Sequence, residues 1–191
     1  MPFESLSLEQ IEEIFSVSGS EQMTWGDLGV NDPAWADTPI TLTGRNSASG
    51  TYKYFKKYAC GGNDFKPTVQ ENPGSSGVVN AISQDPSAIG YSGIGYRTPD
   101  VKIVPVAFEE GEDAFEPTVE NAFRGDYPLA RFLYLYLNHD KRKGVEALTE
   151  EFVRLIYSKQ GQESVVKDGA FPLNAEIARK ELGKLGLEPG F

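Results

Sequence analysis

The chain has very few of the residue types that carry most metal and redox chemistry. Its 191 residues include one cysteine, Cys60, and one histidine, His139. A single cysteine cannot form an intrachain disulfide, and these two residues cannot supply all the ligands of a structural zinc site. A serine–histidine–aspartate triad is not expected either, because no serine stands in a G-x-S-x-G motif. We therefore expect no metal, no cofactor and no catalytic residues, and we do not predict an enzyme.

Long apolar runs and an excess of positive charge are also lacking. No segment approaches the roughly 18 apolar residues of a membrane span. The first ten residues, MPFESLSLEQ, have neither the basic nor the apolar region of a signal peptide, so we expect no leader in this chain. The net charge of −10 argues against nucleic acid and anionic membranes as partners. A small anion stays compatible, because a local dipole and one arginine can outweigh a distant net charge.

The residues that are present predict a mixed α/β fold. Hydrophobic residues make up 39% of the chain and aromatic residues 12%, which supports a substantial core. Helical and strand-like patterns alternate along the sequence, as in proteins of the α/β class. Ser7 and Gln10 form a capping box, S-x-x-Q, which predicts a helix that continues to Phe15. Short extended segments are predicted over residues 66–69, 88–91 and 101–107.

The last third of the chain begins with an apolar run over residues 127–137, which fits a central strand. Beyond this run, helices are predicted over residues 145–159, 160–167 and 174–185. Asn174 is the expected cap of the last helix. Phe152, Leu155 and Ile156 recur at helical spacing and predict an apolar face on the first of these helices.

One stretch, TPITLTGRNSASGTYKYFKKYA, has the order strand, turn of small residues, helix. Ile40 to Thr43 alternates apolar and hydroxyl side chains, which is typical of a strand, and Gly44 is predicted to end it. The segment from Arg45 to Thr51 is rich in small and hydroxyl residues and is predicted to be a turn. From Thr51 onward, apolar residues recur at helical spacing.

The start of this helix predicts an anion site. N–H groups in the first turn of a helix lack intrahelical partners, and the helix dipole adds partial positive charge, so an oxyanion can bind there. The positions that supply donors are Arg45, Ser47, Ser49, Gly50 and Thr51, which we call the anion cradle. The same residues also fit an N-cap after an ordinary strand-to-helix turn, because serine and threonine are common caps.

A second turn of small residues precedes another predicted helix, over residues 78–82. Gly74, Ser75 and Ser76 in this turn would present further free N–H groups toward the same cleft. These three residues are therefore secondary candidates for anion binding. The alternative is a capped helix that faces its own core.

Four motifs in this sequence resemble the periplasmic phosphate-binding protein of the phosphate ABC transporter. They are LEQIEEIF at residues 8–15, RNSASGT at 45–51, AIGYSGIGY at 88–96 and YPLARFLY at 127–134. The motifs occur in the same order as in that family, and the similar region extends over nearly the whole chain. The chain is therefore similar to this family of substrate-binding proteins.

The resemblance implies a type II periplasmic-binding-protein-like fold, in which two α/β lobes enclose phosphate in a cleft. Residues 1–126 would form the three-layer second lobe, which carries the anion cradle. Residues 127–191 would be the return strand and C-terminal helices of an incomplete first lobe. The N-terminal half of that first lobe, with its hydroxyl donors and carboxylate acceptor, has no counterpart in this chain.

The resemblance also implies partners and a location. Its motif places phosphate contacts at Arg45, Ser49, Gly50 and Thr51, whereas the position of Ser47 is acidic in some relatives. The implied partners are inorganic phosphate and an ABC transporter permease, and the implied location is periplasmic or extracellular. Two other functions stay open: binding of a related oxyanion such as sulfate or molybdate, and an interaction module that kept the fold without transport.

The incomplete first lobe has a consequence for assembly. The apolar strand and helices of residues 127–191 would lack their sheet partners and expose a large apolar patch. We expect this region to be covered by a second chain, in a homodimer or by a separate N-terminal lobe, or to be loosely held.

Overall fold

The computed structural model describes residues 4–140 and 142–188. Residues 1–3 of the first predicted domain lie outside the described residues, as do residues 141 and 189–191 of the second. Contacts divide the chain into two units, Met1–Arg131 and Phe132–Phe191.

The first unit alternates strands and helices. Its elements are β1 (Leu6–Ser7), α1 (Leu8–Phe15), β2 (Thr41–Arg45), α2 (Gly50–Ala59), β3 (Gln70–Asn72), α3 (Ser75–Gln84), β4 (Ala88–Gly90), β5 (Val106–Ala107) and α4 (Val119–Arg124). A three-stranded parallel sheet has the order β3-β2-β4, and β1 pairs in parallel with β5. The predicted capping box is confirmed at α1, where the Ser7 side chain accepts from the Gln10 N–H.

Aromatic side chains pack between α1, α2 and one face of the central sheet. The Tyr91 ring stacks on Phe55 of α2 with centroids 4.0 Å apart, and Phe15 of α1 meets both rings edge-on. A Cβ atom on Gly44 would lie 2.5 Å from a carbon of the Tyr91 ring, so only glycine lets this ring lie against β2. Trp25 is also fully buried and belongs to the same core.

The other face of the central sheet carries α3. A Cβ atom on Gly90 would lie 2.5 Å from the Thr43 carbonyl oxygen and 3.0 Å from Ile82 of α3. Gly90 therefore allows a close approach between the backbones of β4 and β2. Because helices cover both faces of the sheet, the predicted three-layer α/β arrangement is confirmed.

Three of the strand predictions in the first unit are wrong in their bounds. β2 continues through Gly44 to Arg45, because both residues pair in parallel with β3. Residues 66–69 form a turn instead of an extended segment, and the strand follows at β3. In the predicted strand over residues 101–107, only Val106 and Ala107 are a strand. Pro105 precedes them and has no N–H to donate to a neighbouring strand. Its carbonyl accepts from the Leu6 N–H at 3.0 Å.

The second unit contains three helices: α5 (Ala147–Tyr157), α6 (Lys159–Lys167) and α7 (Ala175–Gly183). Ser158 separates the first two because its backbone is extended and its side chain caps α6. Asn174 caps α7 by accepting from the Ile177 N–H at 2.8 Å, as predicted. Val153 and Leu182 form the centre of a small buried cluster.

The strand predicted over residues 127–137 is wrong, because this segment forms no sheet pairing. Leu133 and Tyr136 in it are 75% and 89% exposed. The predicted apolar face of α5 is also largely in solvent, since Phe152 and Leu155 are about half exposed. The expected apolar surface is therefore present.

Among the described residues, no helix has both the length and the apolar composition to cross a membrane.

Candidate functional site

The two turns predicted as anion sites lie at one edge of the central sheet. β2 and β3 are parallel neighbours, and Arg45 lies opposite Asn72 at their carboxyl ends. The Asn46 N–H extends this ladder by donating to the Asn72 carbonyl at 3.0 Å. α2 and α3 therefore begin beyond the same edge, which is where ligands bind in open α/β sheets.

Ser49 caps the start of α2. Its buried hydroxyl oxygen accepts from the Thr51 N–H at 3.1 Å and from the Tyr52 N–H at 3.5 Å. The helix accordingly begins at Gly50, one residue before the predicted start. The N-cap interpretation is confirmed for Ser49, and its hydroxyl proton remains a donor for a further acceptor.

The other residues of the anion cradle face solvent more openly. Ser47 and Gly50 are exposed, and Thr51 is half-buried. Within residues 4–140 and 142–188, the Gly50 N–H and the hydroxyls of Ser47 and Thr51 make no hydrogen bond. Three donors are thus unpaired at the positive end of α2.

The Arg45 guanidinium connects β2 to the second turn. Its Nη1 donates to the Ser75 hydroxyl at 2.6 Å, and its Nη2 donates to the Pro73 carbonyl at 3.2 Å. The Nε atom is buried and has no hydrogen-bond partner in the described part of the chain. Two of the five guanidinium N–H groups are therefore used, and three remain for another acceptor.

The start of α3 differs from the start of α2. Gly74 is the N-cap and makes no side-chain cap, and Val78 and Val79 of α3 are buried, as expected for a helix that faces its own core. Ser75 is buried and bonded to Arg45, whereas Ser76 is exposed. The Arg45 cation thus lies at the positive end of α3, where the helix dipole favours negative charge. A bound anion would stabilise both the guanidinium and the helix start.

Tyr91 supports the strand end from which the anion cradle begins. Its hydroxyl donates to the Arg45 carbonyl at 3.3 Å. Burial raises the pKa of Tyr91 above its ordinary value, so the phenol stays neutral and keeps its proton for this bond. Tyr91 therefore fixes the backbone from which the Arg45 side chain projects.

The motifs did not identify Arg131 as part of this site. Its Nη2 atom lies 3.4 Å from the position that a Cβ would take on Gly50. Its guanidinium also lies over the Tyr54 ring, 5.1 Å from the centroid. Eighty-one positions separate Gly50 from Arg131 in the sequence, and no local pattern encodes a contact at that separation.

A separate cavity of about 370 Å³ contains none of the predicted site residues. Its lining residues are Tyr52, Asp64, Phe65, Lys66, Pro67, Val69 and Glu71. Lys66 is buried there and donates to the Glu13 carbonyl at 2.6 Å, in the last turn of α1. Burial lowers the pKa of Lys66. Because a cation stabilises a helix C-terminus, this lysine has a structural role.

Comparison with known proteins gives the family of the chain. Residues 1–160 match the family model described as PBP superfamily domain. The phosphate-binding protein PstS of Pseudomonas aeruginosa is 48% identical over an alignment of 191 residues, which covers 97% of this chain and 59% of that protein. The chain therefore spans about three fifths of the length of this relative.

Solved structures show the same similarity. A structure from Planctomyces limnophilus, described as a possible phosphate-binding protein, covers 97% of this chain and 65% of its own, with a TM-score of 0.77 and 22% identity. A Clostridium perfringens structure, described as a phosphate ABC transporter substrate-binding protein with bound phosphate, has a TM-score of 0.69 and 25% identity, over 91% of this chain and 65% of its own. The resemblance predicted from the motifs is confirmed, and the chain belongs to the PBP superfamily.

Proposed function

We propose that this chain binds inorganic phosphate as part of the solute receptor of an ABC importer. The observation that carries the proposal is the pair of helix starts at one sheet edge, linked by the Arg45 guanidinium. The 48% identical relative is a phosphate-binding protein, and the Clostridium structure holds bound phosphate. The phosphate contacts that we assign are Arg45, Ser47, Ser49, Gly50 and Thr51, with Gly74, Ser75 and Ser76 as secondary candidates.

The chemistry of these groups suits an oxyanion. The free Gly50 N–H and the serine and threonine hydroxyls are neutral donors, and the three free N–H groups of Arg45 add charge-assisted hydrogen bonds. A buried donor without a partner costs about 1–3 kcal/mol, and a phosphate oxygen would satisfy the Arg45 Nε. The donors at both helix starts also lie at positive dipole ends, which are preferred anion positions.

The proposal extends to the arrangement of the chain. Residues 1–126 would correspond to the lobe with the anion cradle, and residues 127–191 to the return strand and C-terminal helices of the other lobe. The exposed side chains of Leu133, Tyr136 and Phe152 would then be covered by an N-terminal lobe or by a second copy in a homodimer. The receptor would act without catalysis, outside the cytoplasmic membrane, in the periplasm or the extracellular space, and would deliver phosphate to an ABC transporter permease.

Titration calorimetry with phosphate, sulfate and molybdate tests the proposed function. We expect heat with phosphate, and Arg45→Ala should weaken the affinity by about 1.5–3 kcal/mol because it removes charge-assisted bonds. Arg124→Ala is the matched control, since it removes an exposed arginine that is paired with Glu120 on α4.

The other outcomes each identify a different function. Stronger binding of sulfate or molybdate than of phosphate would assign the site to another oxyanion. Absence of heat with all three anions, or equal affinity in the Arg45→Ala variant, would contradict the proposal and favour an interaction module.

A further inference from the structure

We propose that Arg131 is a second cationic residue of the anion cradle, where it attracts phosphate to the start of α2. This inference rests on the proposed function and adds a residue to the same site. Arg131 lies outside the motif that predicts the anion cradle.

The position of the Arg131 guanidinium is the first argument. Its Nη2 and Nη1 atoms lie 3.4 Å and 4.0 Å from the position of a Cβ on Gly50. Both terminal nitrogens therefore face the first residue of α2. Because Gly50 has no side chain, the guanidinium can lie against the helix start while the Gly50 N–H stays open.

Tyr54 holds Arg131 in this place. It lies one helical turn after Gly50, on the same side of α2, and its ring packs 5.1 Å from the Arg131 guanidinium carbon. Its hydroxyl donates to the Ala130 carbonyl at 2.9 Å, which fixes the backbone next to Arg131. The contact with the Tyr54 ring uses no hydrogen bond, so the N–H groups of the Arg131 guanidinium stay available to an anion.

The electrostatic setting of Arg131 is the third argument. Arg124, Arg142 and Arg154 each form an ion pair with a nearby carboxylate. Arg131 forms neither an ion pair nor a hydrogen bond within the described residues, and it lies at the positive end of a helix. Two positive charges side by side are unfavourable, and an oxyanion bound at the Gly50 N–H would be attracted by both.

Titration of the full chain with inorganic phosphate at two ionic strengths tests this role. We compare the unaltered chain with Arg131→Ala, Arg131→Lys and the control Lys57→Ala. Lys57 is an exposed cation on the same helix, about 10 Å farther along its axis. Arg131→Ala should raise the dissociation constant about two- to fivefold at low salt. Arg131→Lys should restore most of the loss, and Lys57→Ala should have little effect.

Ionic strength separates an electrostatic role from a structural one. The Debye length falls from about 30 Å at 0.01 M salt to about 8 Å at 0.15 M, so the penalty of Arg131→Ala should be smaller at the higher salt concentration. Phosphate binding that is equal in Arg131→Ala and the unaltered chain would overturn the role of Arg131 alone. A penalty that is independent of salt and not restored by lysine would also overturn it. Absence of phosphate binding in the unaltered chain would overturn both this inference and the proposed function.

Discussion

The starts of α2 and α3 look alike in the sequence but are built differently. Both follow a strand, and both turns contain glycine and serine residues. At α2, buried Ser49 caps the helix with its own hydroxyl. At α3, Gly74 offers no side chain, and the hydroxyl of Ser75 is bonded to the Arg45 guanidinium.

This difference shows how one sheet edge can combine two kinds of donor. The α2 start has its own cap and presents a few neutral donors, so it is stable without an external partner. The α3 start leaves its first-turn N–H groups uncapped but holds a cation from the neighbouring strand. The start of α2 is therefore capped by its own chain, whereas the start of α3 holds the Arg45 guanidinium in place of a side-chain cap.

The largest expected effect comes from disturbing the sheet on the α3 side. Gly90→Ala places a Cβ 2.5 Å from the Thr43 carbonyl oxygen, which is backbone and cannot turn away. We expect a loss of about 1–3 kcal/mol in the free energy of unfolding, measured by urea denaturation. Gly183→Ala is the control, because no described atom outside its chain neighbours and the adjacent backbone of α7 lies within 4 Å of that Cβ position. Equal stability of the two variants would contradict the packing described for Gly90.

The next effect tests the cap of α2. Ser49→Ala removes the acceptor of the Thr51 N–H and should cost about 1 kcal/mol of unfolding free energy. Ser49→Asp keeps a cap acceptor but adds negative charge, so it should retain more stability than alanine while it loses more phosphate affinity. Thermal unfolding and calorimetry measure the two properties separately.

Ser47→Ala is the control for these cap variants, because that hydroxyl is exposed and makes no hydrogen bond within the described residues. It should change the unfolding free energy by less than about 0.5 kcal/mol. A loss of unfolding free energy equal to that of Ser49→Ala would contradict the stabilising role assigned to the capping bonds of Ser49.

A smaller effect is expected at the α3 start. Ser75→Ala removes the 2.6 Å bond to Arg45 but no helix cap, so the stability loss should be about 0.5–1.5 kcal/mol. Phosphate affinity should fall as well, because Arg45 loses one of its two anchors. Ser76→Ala, at an exposed position, is the control for stability and should leave the unfolding free energy unchanged. A Ser75→Ala variant with unaltered affinity would show that Arg45 is oriented without Ser75.

The smallest effect concerns the far end of α3. The hydroxyl and N–H of Ser87 donate to Asp85 at 2.6 Å and 2.8 Å and hold the pKa of this carboxyl below its ordinary value. This stabilisation is present above the unfolded pKa and is lost as the pH falls through the lower folded pKa. Ser87→Ala should therefore destabilise the chain at neutral pH and lose this effect in acid. A destabilisation that is the same at both pH values would contradict the assignment.

Local patterns predicted the elements that depend on near neighbours. The capping box at Ser7, the cap at Asn174 and the helix start near Gly50 were foreseeable, because capping bonds join residues two or three positions apart. Predictions of strands were weaker. Residues 127–137 are as apolar as a central strand but have no partner strand in the part of the chain that the structure describes, and strand formation requires one.

The sequence by itself determined the α/β class, the strand–turn–helix order of the anion cradle and the family, since these follow from local periodicity and from motifs in register. Only the tertiary structure decided that Arg45 is anchored by Ser75 and that Arg131 lies against Gly50. These contacts join residues 30 and 81 positions apart, as numbered in the sequence. The strand order and the packing around Tyr91 and Tyr54 bring these residues together. Neither the strand order nor this packing is encoded in any single stretch of the chain.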